Sequence, residues 1–401
     1  MGKIYEYWSR VSQQRRGGLR RTLDSETSAG RSPCPLLLMV REVDCGGTER
    51  QLTEVAKSLD RGSFQPHVGC FIDRGLFAEE LHAAHVPIVQ FPVRSFSRPG
   101  TLQAARLMGE YLRDQKIGIV HTFDVPSNVF GVFAARAYGA PIVISSQRAY
   151  RHLIDGALLR LLRMTDRLVD RIVVNCEALR KHLIEDERVP SRLIRVCYNG
   201  LDTDRFRLAP RSRPAEVGDA SLVIGVACVL RPEKGLHTLV DAFANIAQDF
   251  PNVKLLLVGN GPSRTEVVER CRDRGIADRC IFVPAVSNVE EWLHAFDIFV
   301  LPSLSEALSN VLMEAMACGC AVIASRIGGN PELVIEGRTG LLFDRENVGQ
   351  LTAHMKLLIE NPDLRNQLAA AASDRIHAEF ARERAIQRMQ SIYSELIARR
   401  D

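Results

Sequence analysis

From Leu36 onward, short runs of consecutive apolar residues alternate with stretches whose apolar positions recur every three or four residues. That is the pattern of strands buried on both faces joined by amphipathic helices. Pro35-Leu36-Leu37-Leu38-Met39-Val40 reads as the first strand, Gly46-Gly47 as a turn, and Thr48 to Leu59 as the first helix. Further strands are expected at 67–72, 87–91, 117–121, 141–146, 171–174 and 193–197. Asn199-Gly200 closes a turn, and the polar, proline-bearing stretch from Pro210 to Gly218 reads as a link. The pattern restarts at Leu222-Val223-Ile224-Gly225-Val226-Ala227-Cys228 and repeats through strands near 254–258, 280–283, 297–301, 320–324 and 340–343. The run from Pro362 to Arg400 is helical by its period. Two successive sets of strand–helix units predict an α/β chain of two Rossmann-like domains, with ligand loops outside the carboxyl ends of the strands, facing a cleft.

A length of 401 residues, 46% hydrophobic and 25% charged, suits two globular domains. No uninterrupted apolar stretch reaches the roughly 20 residues of a membrane span, so a cytoplasmic protein is expected. The ten cysteines are scattered except for Cys318 and Cys320, and their spacing indicates neither a disulfide framework nor a zinc site. Residues 1–33 carry seven Lys/Arg against three Asp/Glu without an apolar period, and read as a disordered basic tail or an over-extended start. Residues 34–212 hold 25 basic and 20 acidic groups, and residues 213–401 hold 20 and 25. The balance argues against nucleic acid and for a first domain, 34–212, that meets an anionic acceptor or membrane surface. The second domain is expected over 213–380.

The chemistry concentrates in Ser303-Leu304-Ser305-Glu306-Ala307-Leu308-Ser309-Asn310-Val311-Leu312-Met313-Glu314. The strand Asp297 to Pro302 precedes it, and Ser309 or Asn310 can cap the apolar run that follows, which puts Glu306 in a loop and Glu314 on a helix. Between the two carboxylates lie the N–H groups of a helix start, a site for phosphate. Hydroxyl-binding acids flanking an anion site suit a nucleotide-sugar. Lys234, in Val229-Leu230-Arg231-Pro232-Glu233-Lys234-Gly235, follows a strand end, where a cation can neutralise a leaving diphosphate.

These segments resemble the retaining glycosyltransferases of family 4 in the GT-B superfamily, and the resemblance runs from about Leu36 to about Phe380. It includes Gly46-Gly47-Thr48-Glu49-Arg50, Asn199-Gly200-Leu201-Asp202, Arg231 to Gly235, Gly259-Asn260-Gly261-Pro262, the double-glutamate element and Gly328-Gly329-Asn330-Pro331-Glu332. The resemblance implies a GT-B fold whose last helix, from about 381 to 401, crosses back to the first domain. It also implies a nucleoside diphosphate sugar as co-substrate, no other cofactor, a hydroxyl acceptor, and a metal-independent transfer in which the leaving phosphate helps deprotonate the acceptor. Glu314 would bind ribose hydroxyls, Glu306 the donor sugar, and the amides of Ala307, Leu308, Ser309 and Asn310 would surround sugar and phosphate. Gly46 and Gly47 would let backbone approach the donor phosphates.

The chain departs from the family in three places. Cys228-Val229 replaces the usual Gly-Arg pair, so Arg231 is the candidate substitute at the diphosphate. Ala307-Leu308 stands where relatives have Gly-Phe. At the predicted strand end, His121 keeps only the first member of a frequent His-x-His, Phe123 taking the second, and His121 and Asp124 are read as either catalytic or structural. Asp202-Thr203-Asp204 looks like a metal-binding carboxylate pair from another transferase superfamily, but after Asn199-Gly200 it reads as a capping turn, and no metal is expected. A helix from Ala157 to Arg171 would align Arg160, Arg163, Arg167 and Arg171 in one stripe, read as a solvated face or as a contact with anionic lipid. The expected function is sugar transfer to an acceptor hydroxyl in glycoconjugate synthesis. A nucleotide-sugar epimerase and a catalytically quiet nucleotide-sugar-binding subunit of a polysaccharide complex stay open.

Overall fold

The computed structural model describes residues 32–44, 46–96, 99–154, 156–211 and 213–400; the basic extension expected at 1–33 lies, up to residue 31, outside them. The described chain packs as two compact units. The first contains residues up to Asn175, then Arg180–Cys197 and the residues from Ala385 on; the second contains Cys176–Leu179 and Tyr198–Arg384.

The first unit is built on seven strands: β1 (Cys34–Glu42), β2 (Phe64–Ile72), β3 (Ile88–Gln90), β4 (Ile119–Thr122), β5 (Ile142–Gln147), β6 (Arg171–Val174) and β7 (Ile194–Val196). They run parallel in the order β3-β2-β1-β4-β5-β6-β7. Leu36 through Val40 are fully buried, which is why β1 reads as an unbroken apolar run. The last helix, Arg382–Ala398, sends Ile386, Met389, Ile392, Tyr393 and Leu396 into the same core as Leu36, Leu38 and Phe64. Its buried positions recur every three or four residues, one face of a helix.

The second unit has six parallel strands: β8 (Leu222–Ala227), β9 (Val253–Val258), β10 (Cys280–Val283), β11 (Ile298–Leu301), β12 (Ala321–Ser325) and β13 (Leu341–Phe343). Their order is β10-β9-β8-β11-β12-β13. In each sheet the numbering runs outward in both directions from one neighbouring pair, β1 with β4 and β8 with β11. At such a reversal the loops leaving adjacent strands diverge, and a crevice opens at the carboxyl ends. The loops after β8 and β11 carry Lys234 and Glu306. Among the described residues no helix is long and apolar enough to cross a membrane.

Two expectations differ from the structure. Residues 198–211 belong to the second unit, so the chain changes units after Cys197 rather than at the polar link. The cause is specific bonding: the Leu201 N–H donates to the Phe380 carbonyl at 2.9 Å, and the Arg382 N–H to the Leu201 carbonyl at 2.8 Å. The helix expected over 157–171 spans only Gly156–Thr165, and Arg171 opens β6 in register with Ile144 of β5. The four-arginine stripe therefore does not form. Arg163 pairs with Glu187 at 2.7 Å, and Arg171, its side chain 7% exposed, pairs with Glu395 at 3.0 Å.

Candidate active site

In the second unit, β8 ends at Ala227, and a short 3-10 turn, Pro232–Lys234, leads into the helix Leu236–Ala247. Gly235 sits between them at φ 61°, and a side chain there would overlap the carbonyl oxygen of Pro302. Only glycine takes this left-handed conformation at such close approach without strain. The Leu304 N–H donates to the Glu233 carbonyl at 2.7 Å, which ties the loop after β8 to the loop after β11.

That tie brings together side chains 72 residues apart. Lys234 Nζ lies 2.7 Å from Glu306 Oε2, and the Ser303 hydroxyl donates to the same oxygen at 3.1 Å. The two charged side chains are 20% and 15% exposed. Burial alone would lower the Lys234 pKa, but the carboxylate of Glu306 outweighs it and the net shift is upward, so the ammonium stays charged. A largely desolvated ion pair in the loops after two strands is a costly arrangement to maintain for stability alone.

Ser309 caps the helix Asn310–Ala317 by accepting the Leu312 N–H at 3.3 Å, and Glu314 stands on that helix with 4% exposure. Glu306 thus lies in the loop and Glu314 on the helix, as their sequence context requires. Ala307 and Leu308 bury their side chains and face the structure through backbone. The Ala307 carbonyl accepts the Gly329 N–H at 2.6 Å, and the Leu308 carbonyl accepts from Asn199 Nδ2 at 3.4 Å. Asn199 also donates to Asn310 Oδ1 at 2.7 Å. In the sequence Asn199-Gly200 suggested only a turn; nothing in its spacing shows that the amide steadies a loop more than a hundred residues away.

Arg231 precedes the 3-10 turn, 57% exposed, with its guanidinium 3.7 Å from the Glu233 carboxylate. Glu332 serves the fold: its carboxylate accepts the N–H groups of Glu177 and Ala178, both at 2.8 Å, and the Tyr198 hydroxyl at 2.9 Å. Asp202 takes the Asp204 N–H at 3.1 Å on one oxygen and Arg382 at 2.9 Å on the other, so it forms a capping turn.

In the first unit, Gly46 precedes the helix Gly47–Ser58, and the Glu49 carboxylate folds back against Gly46. Burial, reinforced by Asp124 and Glu42, pushes the Glu49 carboxyl up to about 7. His121 and Asp124, read as either catalytic or structural, both have structural partners in this unit. His121 is fully buried, with Nδ1 2.8 Å from the Tyr393 hydroxyl and Nε2 2.9 Å from Ser146 Oγ. Both nitrogens are spent on the core, and burial, with Arg148 nearby, holds its pKa well below the usual histidine range. Asp124 caps the helix Val125–Ala137 through the Ser127 N–H and also accepts the Arg41 N–H at 2.7 Å.

Two parallel-sheet Rossmann-like units with this loop chemistry define a GT-B protein. The family description "Glycosyltransferase Family 4" matches residues 45–205, and "Glycosyl transferases group 1" matches residues 213–375. The chain belongs to the family 4 type of GT-B glycosyltransferases. N-acetyl-alpha-D-glucosaminyl L-malate synthase of Bacillus anthracis is 25% identical over 88% of this chain and 94% of its own length. GDP-mannose-dependent alpha-(1-6)-phosphatidylinositol monomannoside mannosyltransferase of Mycobacterium tuberculosis is 26% identical over 80% of this chain and 91% of its own. The crystal structure of Anabaena HepE in complex with UDP-glucose superimposes with a TM-score of 0.78 at 23% identity, covering 90% of this chain and 99% of that one.

Proposed function

We propose that the chain transfers a sugar, with retention of anomeric configuration, from a nucleoside diphosphate sugar to an acceptor hydroxyl. The observation that carries this reading is the Lys234–Glu306 pair beside the Ser309-capped helix that bears Glu314. In this assignment Lys234 turns from Glu306 to the diphosphate as charge builds on the leaving group, a differential stabilisation of the transition state. Glu306 then meets hydroxyls of the donor sugar, the backbone from Ala307 to Asn310 surrounds sugar and phosphate, and Glu314 holds the ribose. Arg231 supplies a second positive charge from the loop rim. The diphosphate is served by lysine and helix N–H groups, and the mechanism runs without a metal. Relatives named for UDP-glucose complexes and for GDP-mannose dependence support a nucleotide-sugar donor.

Thermal shift with UDP-, GDP- and ADP-sugars tests the donor, since a ligand that binds only the folded state raises stability by mass action. Glu314→Ala should lower nucleotide affinity by about tenfold or more, the loss of charged hydrogen bonds to ribose, while the ligand-free protein stays folded. Equal affinity in variant and parent would remove Glu314 from the site. A nucleotide-sugar-binding subunit without turnover draws its support from Cys228-Val229 in place of the family's Gly-Arg pair. Hydrolysis of the bound donor in the absence of acceptor separates it from an enzyme.

A further inference from the structure

Among the described residues, two side chains meet Glu306, both on one oxygen: Lys234 Nζ at 2.7 Å and Ser303 Oγ at 3.1 Å from Oε2. A carboxylate offers about four acceptor positions, so Oε1 remains for a ligand. The two contacts differ in kind. Lys234 is a charge for which an anionic ligand competes, whereas Ser303 is neutral and completely buried. Behind it the structure continues. The Ser303 carbonyl accepts the Ser325 hydroxyl at 2.7 Å, and the Ser325 carbonyl accepts Asn330 Nδ2 at 3.0 Å. Ser325 and Asn330 are also fully buried. The register of β11 on β12, Leu301 opposite Ala324, brings this ladder to the start of the loop. Buried hydroxyls and amides are tolerated where they are bonded, and this series of bonds ends on the Glu306 carboxylate.

We propose that Ser303 is a positioning residue for recognition of the donor sugar. With its backbone carbonyl held by Ser325, whose own carbonyl is held by Asn330, Ser303 uses its hydroxyl to fix Oε2 of Glu306 after Lys234 has moved to the diphosphate, and Oε1 is thereby presented to sugar hydroxyls. The proposal rests on the donor reading above and adds to it the residue that keeps the carboxylate aimed.

The test compares each nucleotide with its sugar conjugate on the full-length protein: UDP with UDP-glucose, GDP with GDP-mannose and ADP with ADP-glucose, by calorimetry. For the base that the parent binds, Ser303→Ala should weaken the conjugate by about tenfold relative to the free nucleotide, the loss expected for a hydrogen bond to a charged group. Ser303→Thr, which keeps the hydroxyl, should restore the parental ratio. Ser325→Ala should move the ratio in the same direction by a smaller factor, and it decides the matter if Ser303→Ala does not fold. A parental ratio in the alanine variants, or equal weakening of nucleotide and conjugate, overturns the positioning role and leaves the donor reading standing. A parent that binds none of the six compounds overturns the donor reading itself.

Discussion

Lys234 and Arg231 stand three residues apart in different surroundings. Lys234 is four-fifths shielded from solvent and locked to Glu306, while Arg231 is 57% exposed beside Glu233. A shielded charge acts on a leaving diphosphate with less screening than an exposed one. Lys234→Ala should lower turnover by roughly 10²-fold or more with a smaller change in the donor's Michaelis constant. Arg231→Ala should show the same signature at about tenfold, because solvent weakens its field. Initial-rate kinetics on both variants check this, and parental turnover without Arg231 would leave the diphosphate to Lys234 and backbone. His121 belongs to the same scale with the opposite meaning. Its folded pKa lies below its unfolded value of 6.5, so the unfolded chain binds the extra proton first as the pH falls. Its contribution is complete above pH 6.5 and should decline by about 1.4 kcal/mol per pH unit below that. Denaturation curves of the parent and of His121→Gln between pH 7.5 and 5 should converge as the pH drops; parallel curves would show that this histidine does not titrate on unfolding.

At the scale of elements, the loop after β11 is shaped by a glycine from the next loop. Gly328 has φ 49°, and a side chain there would overlap the carbonyl oxygen of Glu306. Gly328→Ala must therefore strain its own backbone and push the Glu306 loop. Destabilisation of about 2 kcal/mol or more is expected, together with weaker nucleotide-sugar binding. Thermal melting with and without ligand measures both, and an unchanged ligand shift would show that the loop tolerates displacement. In the sequence, the double-glutamate element gave the order of strand, loop, cap and helix. The order is local information: an apolar strand, a serine able to cap, and an apolar helical stripe all lie within twenty residues. What Glu306 touches is not local, since Lys234 arrives from another strand.

For the whole molecule, the proposed chemistry assigns the diphosphate to protein groups. Excess chelator should leave transfer or donor hydrolysis within about twofold of the untreated rate, because lysine and helix N–H groups meet the charge that a divalent ion would otherwise meet. Loss of activity restored by magnesium or manganese would bring Asp202 and Asp204 back as candidates, although Asp202 is committed to Arg382 and to its own turn.

The sequence by itself determined the two α/β units, the strands, a cap at Ser309 or Asn310, and the positions of Lys234, Glu306 and Glu314 relative to strand ends. Each follows from the spacing of apolar residues and from turn and cap chemistry, which act over a few residues. Tertiary structure alone decided the rest. It ended the arginine helix at Thr165 and settled the cap on Ser309, moved residues 198–211 to the second unit through bonds at Leu201, and gave Asn199 its contacts with the 308–310 loop. It also turned His121 inward, because Tyr393, 272 residues later in the chain, reaches its Nδ1. Partners so distant in sequence leave no periodicity to read, since the contact exists only once the sheets have set which strand ends are neighbours.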